Sequence, residues 1–345
     1  MRRFWIAALG AAILCPSLAV AGDLNADAKA VFSPIDPAAA LRLIKNNDPT
    51  PAKIELGRKL FFEPRLSKSQ VISCNSCHNL GLGGEDAGPT STGHGWAKGG
   101  RRAPTVLNAV YNTAQFWDGR AEDLKAQAKG PVQAGVEMAN TPDVVEKTLN
   151  SIPAYVAEFK GAFPNDAKPV SFDNMAKAIE AFEATLVTPN SRFDKFLAGD
   201  ASALNDAEKK GLRLFIDKGC AGCHSGANVG GGSYAAFGLA EKPSAEILPP
   251  GDKGRSEVTK IAEDEYSFRV APLRNIALHT PFFHSGSVWT LEEAVQVMSK
   301  TQLGQTLTQD ETASIVAFLG SLSGDQPKLV FPTLPARTKD TPRPQ

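Results

Sequence analysis

Hydrophobic side chains recur at helical spacing near the end of each half of the chain. The recurring positions are Met175, Ile179, Phe182 and Leu186 in the first half, and Ile315, Phe318, Leu319 and Leu322 in the second. The second run begins with Thr308-Gln309-Asp310-Glu311, which has the pattern of a capping box. The sequence contains no alternating pattern long enough for a useful strand. The pattern therefore predicts a mainly α protein.

Two copies of a Cys-x-x-Cys-His motif stand out from this helical background. Their residues are Cys74, Cys77 and His78 in the first copy, and Cys220, Cys223 and His224 in the second. Cysteines at this spacing reach the two vinyl groups of one haem, and the adjacent histidine is placed against the iron. A Cys-x-x-Cys redox motif or a zinc site is the alternative, but neither explains a histidine after both copies. The sequence predicts two covalently bound haem c groups.

A short repeat precedes the two motifs. Residues 57–61, Gly-Arg-Lys-Leu-Phe, correspond to residues 211–215, Gly-Leu-Arg-Leu-Phe. Each copy is typical of the amphipathic helix that leads into the haem site of a cytochrome c. We therefore predict two tandem cytochrome c-like domains, each enclosing one c-type haem: an N-terminal domain over 22–187 and a C-terminal domain over 188–325. A proline-rich, irregular tail over 326–345 is expected to follow.

The N-terminus has the pattern of an export signal. Two arginines precede an apolar stretch over residues 4–20, and small residues surround Ala21. A membrane anchor is the alternative, but the apolar stretch is short, contains Pro16 and is followed by no segment long enough to span. We predict a signal peptide over 1–21, cleavage after Ala21, a periplasmic protein and no membrane span in the mature chain.

Cleavage changes the cysteine count and the charge balance. It removes Cys15, so that the remaining four of the five cysteines all lie in the haem motifs. It also removes Arg2 and Arg3 from 37 basic residues, which leaves 35 against 37 acidic residues. No run of basic residues indicates a nucleic acid partner.

The sixth ligand of the first haem has two candidates. His94 lies in a loop with eight glycines between Gly81 and Gly100, whose backbone can bend toward a haem. A solvent-exposed loop histidine is the plain alternative. Met138 competes, since its separation from the first haem histidine suits an ordinary His/Met cytochrome c.

Met298 is the candidate sixth ligand of the second haem, because no other methionine follows the second motif. It lies on a helix predicted to begin with a capping box at Thr290, on one face with Leu291, Ala294 and Val295. That pattern is also typical of a core residue. As a ligand, its thioether would raise the reduction potential relative to bis-histidine ligation.

Two residues between the motifs carry candidate chemistry. Trp117, in an aromatic cluster over 108–120, is placed to couple the haems electronically, although a large core residue is the ordinary alternative. Glu137 is the single charged residue from Pro131 to Asn140. A carboxyl group in an apolar pocket has a raised pKa and can move the proton that O–O cleavage of peroxide requires. A helix cap is the alternative role for Glu137.

Taken together, these segments resemble the bacterial dihaem cytochrome c peroxidases over nearly the whole mature chain. The matching segments are 60–67, the first haem motif, 93–96, 103–112, 115–120, 136–138, the second haem motif and 281–286. Together they are highly specific for that family.

The resemblance implies a role for each candidate. His94 becomes the displaceable ligand of the first, low-potential haem, and Met298 the ligand of the second, high-potential haem, which excludes Met138. Trp117 lies between the haems, Glu137 is the acid–base residue for peroxide, and Gln127 shares its pocket.

The resemblance also implies a reaction and partners. A small soluble cytochrome c or a cupredoxin reduces the second haem, a loop of the first domain rearranges, and His94 leaves its iron. Hydrogen peroxide is then reduced to water. A homodimer is expected.

One position departs from the family. The resemblance implies a calcium ion between the domains, held by an asparagine side chain and by backbone carbonyls at His279 and Pro281, but the asparagine position is Arg102. An arginine offers donors and positive charge, so it cannot ligate a cation. Our hypothesis is that its guanidinium partly replaces calcium.

Two other functions compete with peroxide reduction. A dihaem electron carrier needs the same export and haems, but it needs neither an open iron site nor Glu137. An oxidase of protein side chains uses a similar scaffold in relatives of the peroxidases, which have a tyrosine as distal ligand of the second haem. Met298 argues against that second alternative.

Overall fold

The computed structural model describes residues 23–345 of the chain, so the predicted signal peptide and its cleavage site lie outside the described residues. The α-helices are α1 Leu24–Val31, α2 Pro37–Arg42, α3 Pro51–Phe61, α4 Cys74–Cys77, α5 Leu124–Gln133, α6 Pro142–Asn150, α7 Pro153–Ala162, α8 Phe172–Glu183, α9 Arg192–Leu197, α10 Asp206–Asp217, α11 Ser256–Thr259, α12 Leu291–Leu303 and α13 Gln309–Gly320. Single 3-10 turns cover Pro64–Leu66, Leu80–Leu82, His94–Trp96, Ala109–Tyr111, Cys220–Gly222, Ala262–Asp264 and Ile276–Leu278.

Two short strands, β1 Tyr234–Ala236 and β2 Ser267–Arg269, pair antiparallel and place Tyr234 opposite Arg269. The mainly α prediction is therefore confirmed. None of the helices within residues 23–345 is long and apolar enough to cross a membrane.

Local sequence signals explain where the main helices begin. Helix α13 begins with the predicted capping box, in which the Thr308 and Glu311 side chains each accept from the other residue's backbone N–H. At α12 the Thr290 hydroxyl accepts from the Glu293 N–H, which is half of the predicted box. Each cap supplies a partner for an N–H group that would otherwise lack one.

The hydrophobic side chains form two main cores, one around each haem motif. The first joins α3, α5, α6, α7 and α8, and Met138 is buried in it. The second joins α1, α9, α10 and α13. Two separate cores of this kind are what two cytochrome c-like units require.

The sequence repeat has a structural counterpart at one helix crossing in each core. Gly57 of α3 lies against α8, where a Cβ on that glycine would stand 1.8 Å from the Ala178 carbonyl oxygen. Gly211 of α10 lies against α13, where a Cβ would stand 1.9 Å from the Ser314 carbonyl oxygen. The absence of a side chain thus lets the two helix backbones touch in both units.

The first described helix packs into the second core, and the C-terminal tail packs on the first unit. Ala28 and Phe32, near the N-terminus, are buried in the second core. The tail runs back over the first unit, where the Thr338 hydroxyl donates to the Ser151 carbonyl and the Gln345 N–H donates to the Lys68 carbonyl at 3.0 Å. The tail 326–345 has no helix or strand, whereas the domain boundaries 22–187 and 188–325 stay a prediction.

Candidate active site

The second Cys-x-x-Cys-His motif opens onto an apolar cavity. Cys220, Cys223, His224 and Met298 all line it. The His224 Nδ1 atom lies 3.0 Å from the Ala271 carbonyl oxygen, to which it donates, and this leaves Nε2 free for a metal. Desolvation lowers the pKa of His224 to about 4, so the ring is neutral and able to coordinate.

Helix α12 forms one wall of this cavity. Leu291, Ala294, Val295 and Met298 line it together, so the face inferred from the sequence points into the cavity. The residues present therefore fit a c-type haem: two thiols, one imidazole and one thioether share a single apolar cavity. Ligation by Met298 itself stays a prediction.

The first motif forms the short helix α4, with Ser73 as its N-cap residue. Cys74 and Cys77 are free thiols, as are the two cysteines of the second motif. Desolvation lowers the pKa of His78, which keeps this imidazole neutral as well. The two thiols and the imidazole of the first motif match those of the second, so these residues can likewise hold a covalently attached haem.

The two residues predicted to lie on the distal side of the first haem, His94 and Glu137, belong to backbone segments that contact each other. The His94 N–H donates to the Glu137 carbonyl oxygen at 2.6 Å. A Cβ on Gly93 would lie 2.2 Å from the Val136 carbonyl oxygen, so only glycine permits this approach. The structure thus brings His94 and Glu137 together, although 43 residues separate them in the sequence.

Glu137 lines a separate pocket together with Phe116 and Arg120. Desolvation raises the pKa of Glu137, and the nearby Arg120 opposes that shift. The Arg120 guanidinium lies 3.5 Å from the centre of the Phe116 ring and pairs with Asp118. Gln127 lies on α5, but it is not among the residues that line this pocket.

Trp117 lines one of the two pockets and is adjacent in sequence to a residue that lines the other. Its ring lines the second cavity, while the preceding residue, Phe116, lines the Glu137 pocket. The indole Nε1 donates to the Arg102 carbonyl oxygen at 2.8 Å, and the ring lies edge-on to His284 with 6.2 Å between centroids. Consecutive residues therefore face the two pockets.

Arg102 takes the place expected for calcium. Its side chain is only 3% exposed and forms an ion pair with Glu85. The Nε atom donates to the Pro281 carbonyl oxygen at 2.5 Å, and Nη2 donates to the Thr280 carbonyl oxygen at 3.1 Å. The positively charged Arg102 guanidinium already donates to the Pro281 carbonyl oxygen. These residues therefore do not fit a calcium ion bound at that carbonyl.

Sequence reasoning missed three buried groups in the second cavity: Glu85, Arg269 and His284. His284 stacks on Phe268 at 4.2 Å, and burial lowers its pKa to about 4. Glu85 lies in the glycine-rich loop, far in sequence from Arg102's other partners. No local pattern marks such residues, because only the fold collects them.

Two helical units, each built around a Cys-x-x-Cys-His motif and joined through a shared tryptophan segment, define a dihaem cytochrome. The family model described as "Di-haem cytochrome c peroxidase" matches residues 51–202 of the chain. The chain belongs to the di-haem cytochrome c peroxidase family, and it is therefore a haem-dependent oxidoreductase of the cytochrome-c peroxidase class.

Similar proteins support this assignment. The chain is 59% identical to cytochrome c551 peroxidase of Pseudomonas aeruginosa over 95% of this chain and 94% of that protein. It is 51% identical to cytochrome c551 peroxidase of Nitrosomonas europaea over 84% and 86% of the two chains. Among solved structures, a MauG-like protein associated with microbial copper homeostasis is 27% identical with a TM-score of 0.71, covering 85% of this chain and 93% of that one.

Proposed function

We propose that the protein is a periplasmic enzyme that reduces hydrogen peroxide to water with electrons from a small cytochrome c or a copper protein. The observation that carries the proposal is the arrangement around Trp117: one pocket next to it holds a carboxyl group, and the other holds a complete haem donor set. When bound, the two haems supply one-electron redox chemistry and an iron that polarises peroxide.

The two motifs supply covalent attachment and the proximal ligands. Cys74 and Cys77 attach the first haem, and His78 binds its iron. Cys220 and Cys223 attach the second haem, and His224 binds its iron with a ring oriented by the Ala271 carbonyl. The distal ligands would differ: His94 would serve the first haem and Met298 the second, and the Met298 thioether would give the second haem the higher reduction potential.

Trp117 is the proposed connection for electrons. Its ring lies in the wall of the second cavity, and its neighbour Phe116 lies in the wall of the Glu137 pocket. The hydrogen bond from Nε1 to Arg102 fixes the plane of the indole ring. A fixed aromatic ring between the sites favours electron transfer over a short distance.

Glu137 is the proposed acid–base residue. Its raised pKa allows the carboxyl group to accept a proton from one peroxide oxygen and to return it to the other oxygen as the O–O bond breaks. Gln127 is proposed to assist in the same pocket.

His94 is the proposed switch. Its loop is held by backbone contacts, including the Gly93 N–H to the Ala97 carbonyl at 2.9 Å, and Trp96 within it is 86% exposed. A loop with so little buried apolar surface can rearrange at low cost. If His94 left the first iron once the second haem was reduced, peroxide would gain access to the space beside Glu137.

The domain limits and the assembly are part of the proposal. Residues 22–187 carry the peroxide site and 188–325 receive electrons, although the chain ends pack across this division. A homodimer is proposed from the family alone, and sedimentation of the purified holoenzyme tests it. Binding of nucleic acid is not part of this function.

Stopped-flow turnover tests the main proposal. Enzyme prepared fully oxidised and enzyme reduced by one electron are mixed with peroxide and reduced cytochrome c. We expect rapid turnover in the half-reduced form and slow or no turnover in the oxidised form. Absence of turnover in both forms would contradict the proposal and favour a plain electron carrier.

The protein-oxidising function has weaker support. The chain is 33% identical to methylamine utilization protein MauG of Methylorubrum extorquens over 84% of each chain. Met298 nevertheless lines the second cavity, where a tyrosine is expected for that chemistry. We therefore favour peroxide reduction.

A further inference from the structure

Arg269 is a buried cation in the wall of the second haem cavity. It ends strand β2, its exposure is 2%, and it lines the cavity together with Cys220, Cys223 and His224. Its Nη1 atom is buried without a hydrogen-bond partner among the described residues. A buried guanidinium with an unused donor is costly unless a ligand completes it.

The protein contacts hold Arg269 in place but do not balance its charge. Its backbone N–H donates to the Trp117 carbonyl at 2.7 Å, and its Nε donates to the Phe116 carbonyl at 3.3 Å. Burial lowers the pKa of Arg269 to about 10, and the single group that opposes this shift is the phenol of Tyr234. No carboxylate within residues 23–345 forms an ion pair with it.

Other buried arginines show what is missing. Arg274 is buried to the same degree, and its guanidinium forms an ion pair with Asp194 at 2.7 Å. Arg102 also lines the second cavity and also has an unpartnered Nη1 atom, but its charge is balanced by Glu85. Both Arg102 and Arg269 line this cavity, but among residues 23–345 only Arg102 has a carboxylate partner. The charge of Arg269 is therefore left without a counter-charge from the described part of the chain.

We propose that Arg269 binds a propionate carboxylate of the second haem and thereby raises the reduction potential of that haem. The inference rests on the proposed function, because it requires a haem at Cys220 and Cys223. A haem carries two carboxylates, and the guanidinium fork is suited to bind one of them with two hydrogen bonds. The segment from Arg269 to Ala271 would then contact the haem group at the propionate and, through His224, at the iron.

The effect on the potential follows from charge. Reduction lowers the positive charge at the iron by one unit, so a nearby cation favours the reduced form and a bare propionate disfavours it. Loss of the Arg269 charge in a desolvated wall should lower the equilibrium constant for reduction about tenfold, which is about 59 mV for a one-electron couple. The second haem would then be a poorer electron acceptor.

Four variants test the inference in the purified holoenzyme: R269M, R269Q, R269K and, as a matched control, R255M. Arg255 lies over the Tyr234 ring at 3.8 Å and donates to the Asp118 carbonyl, but it does not line the cavity. Three readouts are compared: haem content from the pyridine haemochrome, the midpoint potential of the second haem by spectroelectrochemical titration, and the propionate bending band in the resonance Raman spectrum.

We expect R269M and R269Q to lower the equilibrium constant about tenfold and to shift the propionate band. R269K should stay within about twofold of the parent in equilibrium constant but shift the band, since an ammonium cannot form the forked contact. R255M should change neither. An unchanged band in R269K, or an unchanged potential in a fully loaded R269M or R269Q, would overturn the inference. A parent enzyme without the second haem would instead overturn the proposed function.

Discussion

Replacement of either crossing glycine by alanine should destabilise one unit and spare the other. In G57A the new methyl group would stand 1.8 Å from the Ala178 carbonyl oxygen and 2.9 Å from the Phe182 Cβ atom. In G211A it would stand 1.9 Å from the Ser314 carbonyl oxygen and 2.8 Å from the Phe318 Cβ atom. Ordinary contact begins near 3.4 Å, so α3 and α8 would have to separate by about 1.6 Å, the difference between 3.4 and 1.8 Å.

The magnitude follows from two opposed effects. Alanine is favoured over glycine within a helix by about 1 kcal/mol. Overpacking of a dense core costs about 1–3 kcal/mol and more where the backbone must move, which is the case here because the obstacle is a carbonyl group. With a cost of about 3 kcal/mol or more and a helix gain of about 1 kcal/mol, we expect each variant to lose about 2 kcal/mol or more of unfolding free energy.

Denaturant unfolding of the holoenzyme, followed by circular dichroism, measures this loss. G161A is the matched control, because Gly161 lies in α7 and a Cβ there meets nothing within 4 Å. It should be as stable as the parent or more so by up to about 1 kcal/mol. The absorption of the first haem should change in G57A and that of the second in G211A. If G57A and G211A matched G161A in stability, the close helix crossing would be wrong.

Four further predictions concern the site. H94G should leave the first iron open without prior reduction, so that the oxidised enzyme turns over peroxide at once. A low-spin spectrum of the oxidised variant would contradict the proposed role of His94 as a switch. E137Q should bind peroxide but slow its cleavage at least about a hundredfold. In the parent, the rate should fall on acidification at a pH above that for an ordinary glutamate, because the raised pKa keeps Glu137 protonated there and removes the base. Activity should survive chelation of calcium, whereas R102N should acquire a stoichiometric calcium ion; calcium-dependent activation of the parent would refute the Arg102 hypothesis.

The parts of the fold that sequence reasoning predicted are those with local signals. A capping box is four residues long, and the Thr308 box is present as inferred. Helical spacing of hydrophobic residues marked α8 and α13, and the repeated glycine segments marked α3 and α10. These signals suffice for two helical units around two motifs.

The parts that sequence reasoning did not predict depend on contacts between distant segments. The burial of Phe32 in the second core and the course of the tail over the first unit have no local signature. The same holds for Glu85 and Arg269. Glu85 lines a cavity formed mainly by residues after position 214, and the Arg269 N–H donates to the Trp117 carbonyl, 152 residues earlier in the chain. Gln127 is a different case: its role was inferred from the family pattern alone, and it stays a prediction.

The His94 loop is tied at its two sides to different units, which gives the proposed activation a physical route. On one side the His94 N–H is bonded to the Glu137 segment of the first unit. On the other side Arg101 forms a forked contact with Asp252 at 2.6 Å for each hydrogen bond. Arg102 is likewise held by the carbonyls beside the second cavity.

Arg102 lines the cavity of the second haem motif and follows His94 by only eight residues. A rearrangement in that cavity that moved Arg102 would therefore also move the backbone of the His94 loop. The loop has two sets of anchors and little buried surface of its own, so a small change in one set can decide between two arrangements. The two haem motifs are equivalent in attachment, but this loop exists only in the first unit. The units thus differ in how the two proposed distal ligands are held: Met298 lies on helix α12, whereas His94 lies in a loop. We therefore expect the loop residue to be the one that can leave its iron.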